Sequence, residues 1–593
     1  MNKRILLLSA LLLSFTLTML AQQRGDDKSF TQQDWDKLSQ AAKDSINKEL
    51  LQKFEAARKE TANTDEANAN QRIDEALKNI SSTTSLVIVN FPKPQLRSDI
   101  TQLKNLEELS CIKCRELDLN TLFNQLAQLP KLKSLNLSGG TYKTLPNSVK
   151  KLSALEVLNL KDNNFTTLPD SFTYLKNLRV LNLEHNAYLY DEDVFERIKT
   201  LNVEDLNFSA SGLLQLSDKI GEVKSLKKLN LSINDIKTLP PSFSLLSNLE
   251  QLNLSQNFNM QVDKIVASVA GFTRLTDLDL SQCLIENLPL DISKLTALQK
   301  LNLKANRLSS LPITLGSLTN LEYLDLGYFE MGTRMNRLTD LGPALNTLKK
   351  LKYLNLAGNQ LSTLPESLAA LSNLEDLNLS LNKLSLFPAA ITQLTRLKNL
   401  NLGLNNLSEL PAAIGNLTQL QTLVLDGNFF NRPDKKIKNL PQTIGNLTQL
   451  QTLSLKDNVL EQLPETIGNL TQLQKLDLRD NLLSSLPAGF TRLSQLQWLD
   501  LKANDLAQLP PNFQNLSALR ELNLSMNLKM NLATEQPQLA QLKNLTFLDL
   551  SYNNLTKEQI APLRQQLPNC KVINWDYSTK TLGGGPKRMV EER

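Results

Sequence analysis

Cys111 and Cys114 stand as a Cys-x-x-Cys pair, a spacing used by dithiol redox centres and by zinc sites. A structural zinc site needs two further ligands, and Cys283 and Cys570 are isolated from each other. The chain has a single histidine, His185, beside Glu184. One imidazole without a partnering nucleophile and a shaped pocket supports no acid–base or metal chemistry. Asn-Leu-Ser and Asn-Leu-Thr triplets, as at Asn230, Asn416 and Asn544, read as glycosylation acceptors, but they recur with a period that explains them otherwise. No catalytic residue, metal site or cofactor site is expected. Charged residues make up 21% of the chain and the net charge is +5. That mild balance lacks the concentrated basic patch of a nucleic-acid binder, so no nucleic-acid partner is expected.

The amino terminus reads as an address. Lys3 and Arg4 precede an apolar run from Ile5 to Leu20, then Ala21 and the polar Gln22 to Asp27. This is the layout of a secretory signal peptide over residues 1–21. The run is short for a membrane span, and no later segment reaches 18 uninterrupted apolar residues. The expected location is secreted or periplasmic.

The elements that must position any functional residue are set by a repeat. Leu374-x-x-Leu377-x-Leu379-x-x-Asn382-x-Leu384 recurs 23 residues later as Leu397-x-x-Leu400-x-Leu402-x-x-Asn405-x-Leu407. Both continue to Pro and Ile (Pro388, Ile391; Pro411, Ile414). Nineteen units match, starting at residues 106 to 545, with a degenerate unit from Thr83 and a terminal one expected from Leu567 through Cys570 and Val572. Fourteen have Asn at the ninth position. The spacing predicts a short strand with inward Leu side chains, then an Asn whose amide bonds neighbouring coils. One unit cannot bury its apolar face alone, so stacked units share a continuous core.

The pattern resembles the leucine-rich repeat family in its Leu-Pro-x-x-Ile variety, over about residues 83–576. The resemblance extends to ras-suppressor and disease-resistance proteins, and with the signal peptide it suggests a bacterial, exported chain. It implies an α/β solenoid, a right-handed horseshoe of about 20 repeats with a parallel sheet on its concave wall. At about 4.8 Å per strand the arc would run roughly 95 Å. In this register Cys111 falls on a Leu position and Cys114 and Cys283 on Asn positions, so buried structural roles are expected, with a Cys111–Cys114 disulfide left open.

Solenoid ends need covers. In residues 22–82, Trp35, Leu38, Ala42, Ile46, Leu50 and Phe54 recur at helical steps after Thr31. A second helix is expected from a Thr64 cap to Ile80, with Ile73, Leu77 and Ile80 as its apolar side. Together they predict an N-terminal helical cap. The Gly-rich residues 577–593 are expected to be a disordered tail.

Candidate binding residues are those expected to face water on the concave wall. Tyr323 and Tyr353 hold the same place in adjacent units, so they should stack about 5 Å apart, with Tyr328 nearby. Lys456, Arg479 and Lys502 form a basic ladder flanked by Lys475 and Trp498, which Asp457, Asp477, Asp480 and Asp500 can neutralise. The fourth position after the first Leu is mostly Asn or Asp and is read as a solvated concave position. Two units carry seven extra residues: one insertion holds Arg334 and Arg337, the other Phe429 to Lys438. Phe329 is expected to replace the ladder Asn in the first. Insertions in repeats map to one face, often the binding face.

The register consumes nearly the whole chain and leaves no room for a catalytic domain of ordinary size. A non-enzymatic recognition protein is expected, and the resemblance implies a protein or peptide ligand along the concave sheet. A secreted adhesin or glycan binder is the alternative, and an intracellular scaffold is a third if the amino terminus is not a signal. The oligomeric state is not readable from the sequence.

Overall fold

The computed structural model describes residues 61–328, 335–427 and 436–575. The signal peptide, the first cap helix, the tail, Phe329–Arg334 and residues 428–435 lie outside the described residues. Two compact units are present: Met1–Leu189 with Thr200–Asn202, and Tyr190–Lys199 with Val203–Arg593.

The first unit contains five parallel strands, β1 (Ser85–Val89), β2 (Glu108–Ile112), β3 (Ser134–Asn136), β4 (Val157–Asn159) and β5 (Val180–Asn182). Sixteen more, β6 (Asp205–Asn207) to β21 (Lys571–Ile573), run in chain order in the second. Every neighbour pair matches equivalent residues, as in Leu377↔Leu400 and Leu400↔Leu423. The expected solenoid is therefore present in each unit. Leu374, Leu377, Leu379, Leu384 and Ile391 are all at most 2% exposed. Stacking such rings buries a continuous core, at about 25 cal/mol per Å² of apolar surface.

Repeat length selects what closes the outer side. Units of 23 residues use a short 3-10 turn after the Pro, as at Ala389–Gln393 and Ala412–Asn416. Units two or three residues longer use eight-residue α-helices, such as Leu119–Leu126, Val262–Val269 and Leu532–Leu539. An α-helix rises about 1.5 Å per residue against about 2.0 Å in 3-10 geometry, so it needs more residues to cover the same edge.

The asparagine ladder follows the expected chemistry. Asn405 Nδ2 donates to the carbonyls of Leu379 and Leu402, each at 2.9 Å, and Oδ1 accepts from the Leu384 N–H at 3.1 Å. Cys114 and Cys283 occupy ladder positions, with Cys283 Sγ 3.2 Å from the Leu254 carbonyl. Cys111, Cys114 and Cys283 are buried free thiols, and no disulfide joins Cys111 to Cys114.

Four expectations need correction. Phe329 does not replace the ladder residue. Asn336, fully buried, fills that place: Nδ2 donates to Leu303 and Leu326 carbonyls at 3.1 and 3.0 Å, and Oδ1 accepts the Leu308 N–H. The insertion therefore precedes the ladder instead of consuming it. In the terminal unit Val572 pairs with Leu548, the third residue after the first Leu of its unit, so the unit starts two residues later than the Leu567 register and Cys570 is half-buried beside the strand. Thr64 does not cap the second helix, which already runs at residue 61 and continues to 78. Its buried side is Ala69, Ile73 and Ala76, while Ile80 is 38% exposed. Finally, the fourth-position Asn or Asp is a structural acceptor. Asn401 Oδ1 takes the Gly403 N–H at 3.0 Å and Asp500 Oδ1 the Lys502 N–H at 2.9 Å. These bonds close the turn in which the seventh residue, as at Leu404 and Asp457, takes a positive φ.

Candidate functional site

All the candidate residues that the structure describes lie in the second unit. β11 (Tyr323–Asp325) and β12 (Tyr353–Asn355) pair directly. The register sets Tyr323 against Tyr353, with ring centroids 4.3 Å apart and planes 5° from parallel. Both rings are half-buried. Tyr323 Oη donates to Asp325 Oδ2 at 3.3 Å. Asp325 also accepts from Gly327 N–H and Asn355 Nδ2, each at 2.9 Å. Burial raises the Asp325 carboxyl above its usual value and pushes both phenols up. The phenols therefore remain neutral donors.

Tyr328 covers Gly358. A Cβ built on Gly358 would come 2.6 Å from the Tyr328 Cβ, and Gly358 has φ +69°. Only glycine meets both demands there. Arg337 stands exposed one residue past Asn336, and Arg334 lies outside the described residues. The structure thus brings Tyr323 and Tyr353 together, whereas Tyr328 lies over Gly358 and Arg337 follows the ladder residue Asn336.

The second cluster is largely self-satisfied, as its neighbouring carboxylates allow. Arg479 is 2.8 Å from Asp477 and 3.8 Å from Asp500. Lys456 pairs with Asp426 at 3.7 Å, whereas Asp457 is taken by the buried Lys436 at 2.6 Å. Lys475 Nζ sits 4.8 Å from the centre of the Trp498 ring, a cation–π contact. Lys502 has no carboxylate within ion-pair distance among the described residues. Burial raises the Asp477 and Asp500 carboxyls, opposed by Arg479. Of the three expected rungs, Arg479 and Lys456 are ion-paired and only Lys502 is left without a carboxylate partner among the described residues, beside the flanking Lys475 on Trp498.

The sequence reading missed a third feature. A trough of about 450 Å³ crosses β6 to β11, lined by Asp205, Lys228, Gln251, Asp277, Lys300 and Tyr323. These residues share one register position, and Lys300 pairs with Asp277 at 3.4 Å. The alternation of charge at that position was visible in the sequence. What was not visible is that the row ends against the tyrosine stack.

Family comparisons match this repeat. A leucine-rich repeat region model covers residues 342–431 and 435–575, and a leucine rich repeat model covers residues 130–187. The matched stretches are leucine-rich repeats. This repeat protein shares its fold with the structure of a TLR13–ssRNA13 complex, at 23% identity over 84% of this chain and 75% of that one, with a TM-score of 0.57. It shares it also with the Drosophila Toll–Spatzle complex, at 21% identity over 79% and 61%, TM-score 0.56. A Leptospira interrogans leucine-rich-repeat protein is 26% identical over 84% of this chain and 98% of that chain, TM-score 0.48. No curated protein is similar enough in sequence to count as a match. Among the described residues, no helix is long and apolar enough to cross a membrane. No group of three His, Cys, Asp or Glu residues there is placed to hold a metal ion.

Proposed function

We propose that this repeat protein recognises a protein or peptide ligand on its concave sheet, with the Tyr323/Tyr353 stack as the anchor. The observation that carries the reading is that stack: two half-buried rings, face to face, at the end of a trough that carries both signs of charge. Aromatic side chains bring large contact area at low conformational cost, which is why they dominate interface energies. The trough supplies polar groups of both signs beside that anchor. Leucine-rich-repeat structures with protein ligands, such as the complex of Toll with Spatzle, share this fold.

The setting we propose is extracytoplasmic. It rests on Lys3, Arg4 and the apolar run to Leu20. In the same reading residues 22–82 cap the solenoid, and the protein is a binder without catalytic machinery of its own. The test is a pull-down from the native extracellular milieu with mass spectrometry of the bound material. The wild-type chain is compared with Tyr323→Ala/Tyr353→Ala. A polypeptide retained by the wild type and lost by the variant supports the reading; one retained equally by both overturns it.

A further inference from the structure

The residue after the first Leu of each unit forms a column along one edge of the second unit's sheet. From Glu322 to Lys398 this column alternates in charge. Lys352 Nζ is 2.8 Å from Glu322 and Lys398 Nζ is 2.7 Å from Glu375. It then changes to four glutamines in successive units: Gln421, Gln451, Gln474 and Gln497. The N–H of Gln451 donates to the Gln421 carbonyl, Gln474 to Gln451 and Gln497 to Gln474, each at 2.8 Å. The four side chains therefore leave the backbone as consecutive rungs. All four are exposed, and their amides make no hydrogen bond to another described residue. A second exposed glutamine stands two residues earlier in each unit, from Gln419 to Gln495. Past the last rung lies a hollow of about 330 Å³ lined by Gln497, Arg520, Asn544 and Thr546.

A carboxamide carries two donors and an acceptor, so each rung can give a hydrogen bond to one hydroxyl and take one from another. The rungs themselves carry no charge, so an ionic ligand gains little from them. The spacing discriminates further. Strands lie about 4.8 Å apart, whereas an extended polypeptide repeats its same-face groups about every 6.8 Å. A peptide laid along the column falls out of step by about 2 Å per rung. A sugar chain laid with one ring against each rung would keep step with the column.

We propose that the Gln421–Gln497 edge binds a neutral, hydroxyl-rich polysaccharide running across the strands. This goes beyond the concave polypeptide site and does not depend on it. The hollow beyond Gln497 would receive one end of the sugar chain.

The experiment is titration calorimetry of the full chain with four neutral hexaoses: cellohexaose, maltohexaose, laminarihexaose and mannohexaose. At least one is expected to bind, with affinity rising from the disaccharide to the tetrasaccharide and then levelling, as four rungs require. Gln451→Ala/Gln474→Ala should weaken it by about tenfold or more with an unchanged melting profile. Tyr323→Ala/Tyr353→Ala should leave it unchanged, which separates this site from the concave one. Failure of all four sugars to bind at millimolar concentration overturns the proposal, as does binding that the glutamine variant does not weaken. A wild-type dimer that the glutamine variant converts to a monomer in sedimentation would overturn it too, by assigning the edge to a second copy of the chain.

Discussion

Tyr323 and Tyr353 lie face to face, 4.3 Å between ring centroids and 5° from parallel, because the strand register pairs them directly. Neither ring contributes to the leucine core, which closes on the other side of the sheet. A binding role and a folding role can therefore be separated by mutation.

Replacing both tyrosines by Ala should cost about 2 kcal/mol or more of ligand affinity while leaving the melting profile in place. Affinity through the stack should change little as salt rises. Binding through Lys475 and Lys502 would weaken markedly, because exposed charges are screened within about 10 Å at 0.1 M salt. Affinities measured at low and high ionic strength distinguish the two patches.

Asn405→Leu should destabilise the fold more than Asn401→Leu. The first loses bonds to two buried carbonyls and a buried N–H, a penalty of about 1–3 kcal/mol for groups left unsatisfied. The second loses one bond to Gly403 in a half-buried turn, about 1 kcal/mol. Asn336→Leu should behave like Asn405→Leu. Urea midpoints of the three variants check the order, and an Asn336 variant as stable as wild type would contradict its place in the ladder.

Deleting residues 329–335 restores the 23-residue step and joins Tyr328 to Asn336. If Asn336 is the ladder residue, the shortened chain should fold with a melting temperature close to that of the parent. Deletion of 330–336, which retains Phe329 in the ladder place, should be much less stable. Circular dichroism melting of the two deletions decides between the registers.

Asp325→Asn should be neutral or stabilising at pH 7. Burial raises the native Asp325 carboxyl above its usual value, so the native state holds that proton more tightly than the unfolded chain. Ionisation therefore costs stability as pH rises from the unfolded value through the raised native one, and the cost is fully present above both. Asn keeps the acceptor for Gly327 and Asn355 without the charge. Its advantage should shrink as pH falls from 7 through the raised native value to about 3, below the ordinary carboxylate value of about 3.9, where the carboxyl is protonated in both states. Denaturant unfolding of both chains at the two pH values tests the sign.

If residues 1–21 are an export signal, the exported protein should begin near Gln22. Amino-terminal sequencing of protein recovered outside the cytoplasm would show this, and an intact Met1 there would remove the basis for the extracytoplasmic setting.

The sequence alone determined the strands, register and core of the nineteen regular units, though not the register of the terminal one. Nineteen repetitions of one leucine spacing leave a single way to bury every apolar position, so Leu377, Leu400 and Leu423 had to align. It determined the Tyr323/Tyr353 stack for the same reason. It did not determine which residue completes the ladder after an insertion. The Asn336-x-Leu338 spacing carried that signal, but the choice depends on how the loop closes in space. It offered Asp457, Asp477, Asp480 and Asp500 as partners for the basic ladder, and Asp477 and Asp500 do take Arg479, but it did not show that Asp457 turns away to Lys436, since side-chain pairing across strands is decided by reach and burial. The trough that ends on Tyr323, and the unpaired glutamine rungs beside an ion-paired column, are likewise properties of the stacked surface: each unit contributes one residue, and only tertiary packing sets those residues side by side.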